Sequence, residues 1–197
     1  MPGIVILPLS ELRAPMSQHA TQSHYPTETN KQKTETHTLS VVVDNEPGVL
    51  ARVIGLFSGR GYNIDSLTVS ETEHEKHLSR ITIVTAGTPM VIEQIKHQLE
   101  RMVPVHRVTD LTVLGDGIER ELALLKVVGT GEKRVEALRL AQTFNARTVD
   151  ATLTSFVFEL TGEVREIERF IKVMTSVGLV EVSRTGVAAI ARGAELA

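Results

Sequence analysis

The chain has 197 residues, 42% hydrophobic, 23% charged and 4% aromatic, with no Trp, no Cys and a net charge of −3. That length suits one medium domain or two small ones, and the missing cysteines exclude a disulfide framework, a thiolate nucleophile and any thiolate metal site. Few aromatics and no basic stripe argue against base stacking and against a DNA or RNA partner.

In chain order, the first apolar run, Ile4 to Leu7, is too short to span a membrane and lacks the basic flank of a secretory signal, so a cytoplasmic location is expected. Residues 14–36 are rich in Ser, Thr, Gln, His, Pro and Asn. Such a composition cannot bury enough apolar area to offset its ordering entropy, and residues 1–36 are expected to be a disordered extension. From His37 the texture changes. Leu39, Val41 and Val43 alternate as a strand, and Val49, Leu50, Val53, Ile54 and Phe57 recur as one helical face. Gly61 is placed to end that helix in a left-handed turn. Strands follow over 64–70 and 78–85, joined by a charged turn over 71–77. Gly87, Thr88 and Pro89 open a second helix with Val91, Ile92, Ile95, Leu99 and Met102 inward, and a strand with room for a bulge follows over 103–114. The order β-α-β-β-α-β is the ferredoxin-like unit.

After Gly115-Asp116-Gly117 the pattern repeats. A strand over 122–128 precedes a helix over 132–145, with Val135, Leu138, Ala141 and Phe144 inward. Two strands follow, over 148–153 and 155–161. A helix then places Val164, Ile167, Phe170, Ile171 and Met174 on one face before Gly178 stops it, and strands over 179–182 and 187–190 close the unit. The fold class is therefore α+β, with two tandem ferredoxin-like units over 37–114 and 118–197. Units this small are marginal alone, and each has an open edge and a helix-free face, so a homodimer is expected.

The most informative stretch is Asp44-Asn45-Glu46-Pro47-Gly48-Val49-Leu50, between the first strand and the first helix. Asn45 or Glu46 is expected to cap the helix, with Pro47 in its first turn. Free N–H groups of Gly48, Val49 and Leu50 then form a seat for a carboxylate. Asn63, just beyond Gly61, is expected at the same end of the sheet, where it offers a donor and an acceptor to an amino acid's charged groups. Val49, Leu50 and Ile64 supply an aliphatic wall. Other sets point nowhere comparable. Gly129-Thr130-Gly131-Glu132-Lys133-Arg134 lacks the spacing of a phosphate loop. His74 and His77, with Glu71, Glu73 and Glu75, sit on a solvated turn with no evident second shell for a metal. No catalytic triad or metal site is assigned.

The run from His37 to Val53, with Leu56 to Leu67 and Leu78 to Val84, resembles the ACT domain of the acetolactate (acetohydroxyacid) synthase regulatory small subunit. The likeness extends to Arg120–Val127, Phe158–Gly162 and Arg184–Val187. It implies a subunit with no active site of its own, one that activates a catalytic large subunit and confers feedback inhibition by valine or another branched-chain amino acid. It also implies that Asn45, Gly48, Val49 and Leu50 of one protomer meet Asn63 and Ile64 of another across a homodimer formed through the ACT domain. Thiamine diphosphate, Mg and FAD are expected on the catalytic partner and no cofactor in this chain. Gly115-Asp116-Gly117 with a later Asn145 mimics the thiamine-diphosphate motif, but the residues beyond cannot build that domain, and the glycines read as a hinge. The rival reading is a free-standing amino-acid sensor controlling another enzyme or transcription. It lacks a helix-turn-helix or basic face. An enzyme with an ACT appendage ranks lower, since no acid, base and nucleophile converge.

Overall fold

The computed structural model describes residues 33–73, 77–115 and 117–194. The first sheet contains β1 (Glu35–Asp44), β2 (Ser66–Glu73), β3 (Leu78–Gly87) and β4 (Val105–Asp110), in the order β2-β3-β1-β4. Two helices, α1 (Val49–Arg60) and α2 (Pro89–Glu100), cover one face. The second sheet contains β5 (Ile118–Val128), β6 (Arg147–Ala151), β7 (Ser155–Gly162) and β8 (Leu179–Arg184), in the order β6-β7-β5-β8, with α3 (Glu132–Thr143) and α4 (Val164–Val177) packed on it. A short strand, β9 (Ala188–Ile190), pairs with the start of β5. The two sheets thus repeat one strand order, as expected for tandem ferredoxin-like units. Among the described residues, no helix is long and apolar enough to cross a membrane.

Local chemistry explains the boundaries. Thr88 caps α2 by accepting the Val91 N–H, and Pro89 occupies the first turn, where its missing donor costs nothing. Gly61 ends α1 at φ 69°, its N–H reaching the carbonyls of Phe57 and Ser58. Gly178 ends α4 at φ 113°, and a Cβ there would lie 2.2 Å from the Val128 carbonyl oxygen, so this turn excludes any side chain. Both closing strands carry one extra residue, His106 in β4 and Val180 in β8, at equivalent registers. The bulge foreseen in the first unit therefore recurs in the second.

Several expectations require correction. β1 begins at Glu35, so the supposed extension over 1–36 overlaps a strand at its end; residues 1–32 lie outside the described residues. Residues 111–114 form a turn beyond β4 rather than strand. In α3 Ala141 is buried as expected, with Leu138 and Phe144 partly buried on the same core, but Ala137 takes the other buried position and Val135 is 66% exposed. Two alanines let the helix approach the sheet closely, and Arg134 lays its guanidinium 3.8 Å from the Phe156 ring at the margin of that contact. The first core is Leu39, Val41, Val43, Val49, Val53, Phe57, Ile81, Ile83, Ile92, Ile95 and Leu99. The second centres on Phe156, Phe158 and Phe170.

Candidate functional site

The loop between β1 and α1 is pinned at its start. Asp44 N–H donates to the Pro104 carbonyl at 2.9 Å, and Asn45 N–H donates to His77 at 2.7 Å. Gly48 itself occupies the N-cap at φ 87°, with no side-chain cap, so Asn45 and Glu46 do not cap α1 and Pro47 lies before the helix. A left-handed residue is needed to turn the chain into α1 at this point, and glycine supplies it without the Cβ penalty. Val49 N–H makes only a long contact to the Glu46 carbonyl, 3.4 Å, while Gly48 accepts from Arg52 at 3.0 Å. The N–H groups of Gly48 and Leu50 donate to no backbone carbonyl among the described residues. A helix start of this kind suits an anionic group.

The expected wall is only partly available. Val49 turns into the core, so it can contribute its backbone but not its side chain. Leu50 is 37% exposed, and so is Ile54 one turn later at 38%; on the edge strand β2, Val69 is 44% exposed. Helical periodicity grouped Leu50 and Ile54 with the core, but the stripe is wider than the sheet it covers. Ile54 and Val69 are therefore candidates that pattern reading did not single out as site residues; Ile54 was legible only as part of the α1 stripe and Val69 only as a strand residue.

The second segment sits between α1 and β2. Tyr62 packs edge-on against Phe57, with ring centroids 6.1 Å apart, and Ile64 lies partly buried on the same core. The Asn63 carbonyl accepts from the Thr85 hydroxyl at 2.6 Å, and Asp65 N–H donates to Val84 at 2.8 Å. The Asn63 side-chain amide, exposed, donates to the Asp65 carboxylate. A fixed backbone thus carries a solvent-facing amide.

Strand register separates the two segments. β1 and β2 both pair antiparallel with β3, so they run in the same direction. Asp44 stands opposite Leu78, which pairs with Glu73 at the end of β2; Ser66, at the start of β2, stands opposite Val84, which pairs with Thr38. The 45–50 loop and Asn63–Ile64 are at opposite ends of the sheet, about 20 Å apart at roughly 3.3 Å per residue. The expectation that they share an end is overturned. Within one protomer the structure does not bring them together.

Among the described residues no three His, Asp or Glu side chains gather around a metal-sized site, and His74 and Glu75 lie outside them. Asp116 also lies outside, and the turn that precedes Gly115-Asp116-Gly117 is hydrogen-bonded back to β1 and β4. Leu111 N–H donates to Thr38, the Thr38 N–H donates to the Thr112 hydroxyl, and the Asp110 carboxylate takes the Thr112 and Val113 N–H groups. The same carboxylate meets His37 Nδ1 at 2.8 Å.

By fold, then, the chain is a pair of ferredoxin-like units with an exposed backbone-donor loop at the start of α1. Residues 39–107 match the family described as an AHAS small subunit-like ACT domain, and residues 120–193 match the small subunit of acetolactate synthase. A probable acetolactate synthase small subunit of Archaeoglobus fulgidus is 45% identical over 157 residues, 80% of this chain and 97% of that protein. The isozyme 3 small subunit of Escherichia coli K12 is 43% identical over 79% of this chain and 94% of its own length. The crystal structure of the Thermotoga maritima small subunit superposes with a TM-score of 0.73 at 35% identity, covering 82% of this chain and 99% of that one. The chain belongs to the acetolactate synthase small-subunit family.

Proposed function

We propose that this chain is the non-catalytic regulatory subunit of an acetolactate synthase. In this reading it activates the catalytic large subunit and transmits feedback inhibition by valine or a related branched-chain amino acid, held between two protomers. The observation that carries the effector site is the separation of its halves. A helix start whose Gly48 and Leu50 N–H groups meet no backbone carbonyl among the described residues stands at one end of the sheet, and an amide-bearing segment at the other. Among the described residues no strand pairs with the outer edge of β2. Antiparallel pairing of two such edges about a twofold axis sets the start of one β2 beside the end of the other. Asn63 and Ile64 of one chain then approach Asn45, Gly48 and Leu50 of its partner, once in each half of the dimer.

Each part has a chemical role in that arrangement. The Gly48 and Leu50 N–H groups take the effector carboxylate, Asn63 anchors a polar group, and Leu50 with Ile64 bounds a short aliphatic side chain. Feedback follows from linkage: an effector that favours one arrangement of the pair shifts productive engagement of the large subunit, and about 1–3 kcal/mol of coupling suffices.

Mixing the purified chain with an acetolactate synthase large subunit tests this directly. Activity is expected to rise on adding the chain and to fall again on adding valine. An unchanged rate in both steps rejects the regulatory reading, and activation without any response to valine, leucine or isoleucine rejects the effector assignment.

A further inference from the structure

The helix-free face of the first sheet is not left open at the end where β2 begins. Ser66, Val84 and Thr38 share that face, opposite the core residues Leu67, Ile83 and Leu39. The loop between β8 and β9 presses onto it. Val187 N–H donates to Ser66 Oγ at 2.9 Å, and Val187 is buried. Gly186 stands at φ 83°, and a Cβ there would lie 2.8 Å from Ser66 Oγ and 2.9 Å from Thr68 Oγ1. Two independent constraints, the left-handed backbone and the close approach, therefore demand glycine at this contact. The Thr68 hydroxyl is buried beneath the loop with no hydrogen-bond partner among the described residues, so the approach comes at the expense of a polar group.

Both sides of the contact are stiff. On the side of the second sheet, Thr185 N–H donates to the Leu122 carbonyl at 3.0 Å and its hydroxyl accepts the Leu122 N–H at 3.1 Å. Arg184 Nε reaches the buried Glu121 carboxylate at 2.8 Å, and that hydrogen bond pushes the guanidinium further up from its ordinary value. On the side of the first sheet, Ser66 directly follows Asn63-Ile64-Asp65, whose backbone is bonded to Thr85 and Val84. The effector segment thus lies within three residues of the contact with the second unit, and both sides of that contact are hydrogen-bonded into their sheets.

We infer that the contact of Ser66 with Gly186 and Val187 couples the two units, so that occupancy of the Asn63–Ile64 segment repositions the second unit. Ser66, Gly186 and Val187 are positioning residues, outside the effector's own contacts. The inference rests on the regulatory reading above and adds a role for the second unit in it: the effector signal leaves the first sheet through this loop.

The test uses the holoenzyme, reconstituted from the full chain and a large subunit, together with calorimetry of valine on the full chain. Ser66→Ala removes the acceptor without adding bulk, and Gly186→Ala forces the loop off β2. Both are expected to bind valine within about threefold of wild type and to activate fully, while most of a feedback response of about 5–150-fold disappears. A purely structural role predicts otherwise: affinity, activation and feedback fall together, and that outcome overturns the coupling, as does wild-type feedback in both variants. If Gly186→Ala does not fold, Ser66→Ala decides alone. Failure of the regulatory reading shows separately, as wild-type chain that binds no branched-chain amino acid, and it removes the coupling with it.

Discussion

Gly48→Asp is expected to abolish feedback by valine while leaving activation of the large subunit in place. The new carboxylate would stand among the N–H groups assigned to the effector carboxylate, where it occupies the donors and repels the ligand's charge. Space does not oppose it within the protomer, since a Cβ at Gly48 meets nothing within 4 Å. Backbone strain does contribute, because φ is 87°, at about 1–2 kcal/mol for a side chain in the left-handed region. Gly48→Asn separates the two effects, for asparagine tolerates that region comparably and carries no charge. Valine titration of the reconstituted enzyme should show response lost with Asp and retained in good part with Asn. Full inhibition of the Gly48→Asp enzyme would place the effector carboxylate elsewhere.

Phe158→Ala carries the largest expected cost in stability. Phe158 is fully buried on β7, stacked 5.3 Å from Phe156 and edge-on to Phe170 at 6.5 Å, with Phe144 extending the group at 5.1 Å from Phe170. Truncating such a ring leaves a cavity that the β-sheet beneath it cannot collapse, at about 3–5 kcal/mol. At roughly 2–4 °C per kcal/mol for a chain of this size, the midpoint of thermal unfolding should fall by about 6–20 °C. A shift of only about 2 °C would mean that the second core is looser than its aromatic packing indicates.

Element order was legible because apolar residues recur at period two in strands and near 3.6 in helices, and because Gly61 and Gly178 sit where left-handed turns are required. Burial was legible less evenly. Val135 outranks Ala137 in hydrophobicity, yet α3 turns Ala137 and Ala141 fully into the core and leaves Val135 exposed. Leu50 and Ile54 belong to the right stripe, but periodicity does not say how much of a stripe its layer covers. The placement of Asn63 is a different kind of miss. A single helix returning the chain makes β1 and β2 run the same way, so the topology already set the two segments at opposite ends. The contact of Gly186 with Ser66 joins residues far apart in sequence, and no local pattern announces it.

An effector site divided between two chains can be split and restored by mixing two variants. Gly48→Asp disables one half of each site, and Asn63→His is expected to disable the other half, so neither variant alone should bind valine. In a mixed dimer both defects fall in one site and the other site is intact, because each interface patch meets the unlike patch of its partner. Calorimetry of valine on an equilibrated equal mixture should therefore recover about a quarter of the wild-type sites, with random exchange of protomers in a symmetric dimer. Recovery at wild-type affinity is the predicted result. No recovery from a mixture shown to have exchanged would contradict a site shared between protomers.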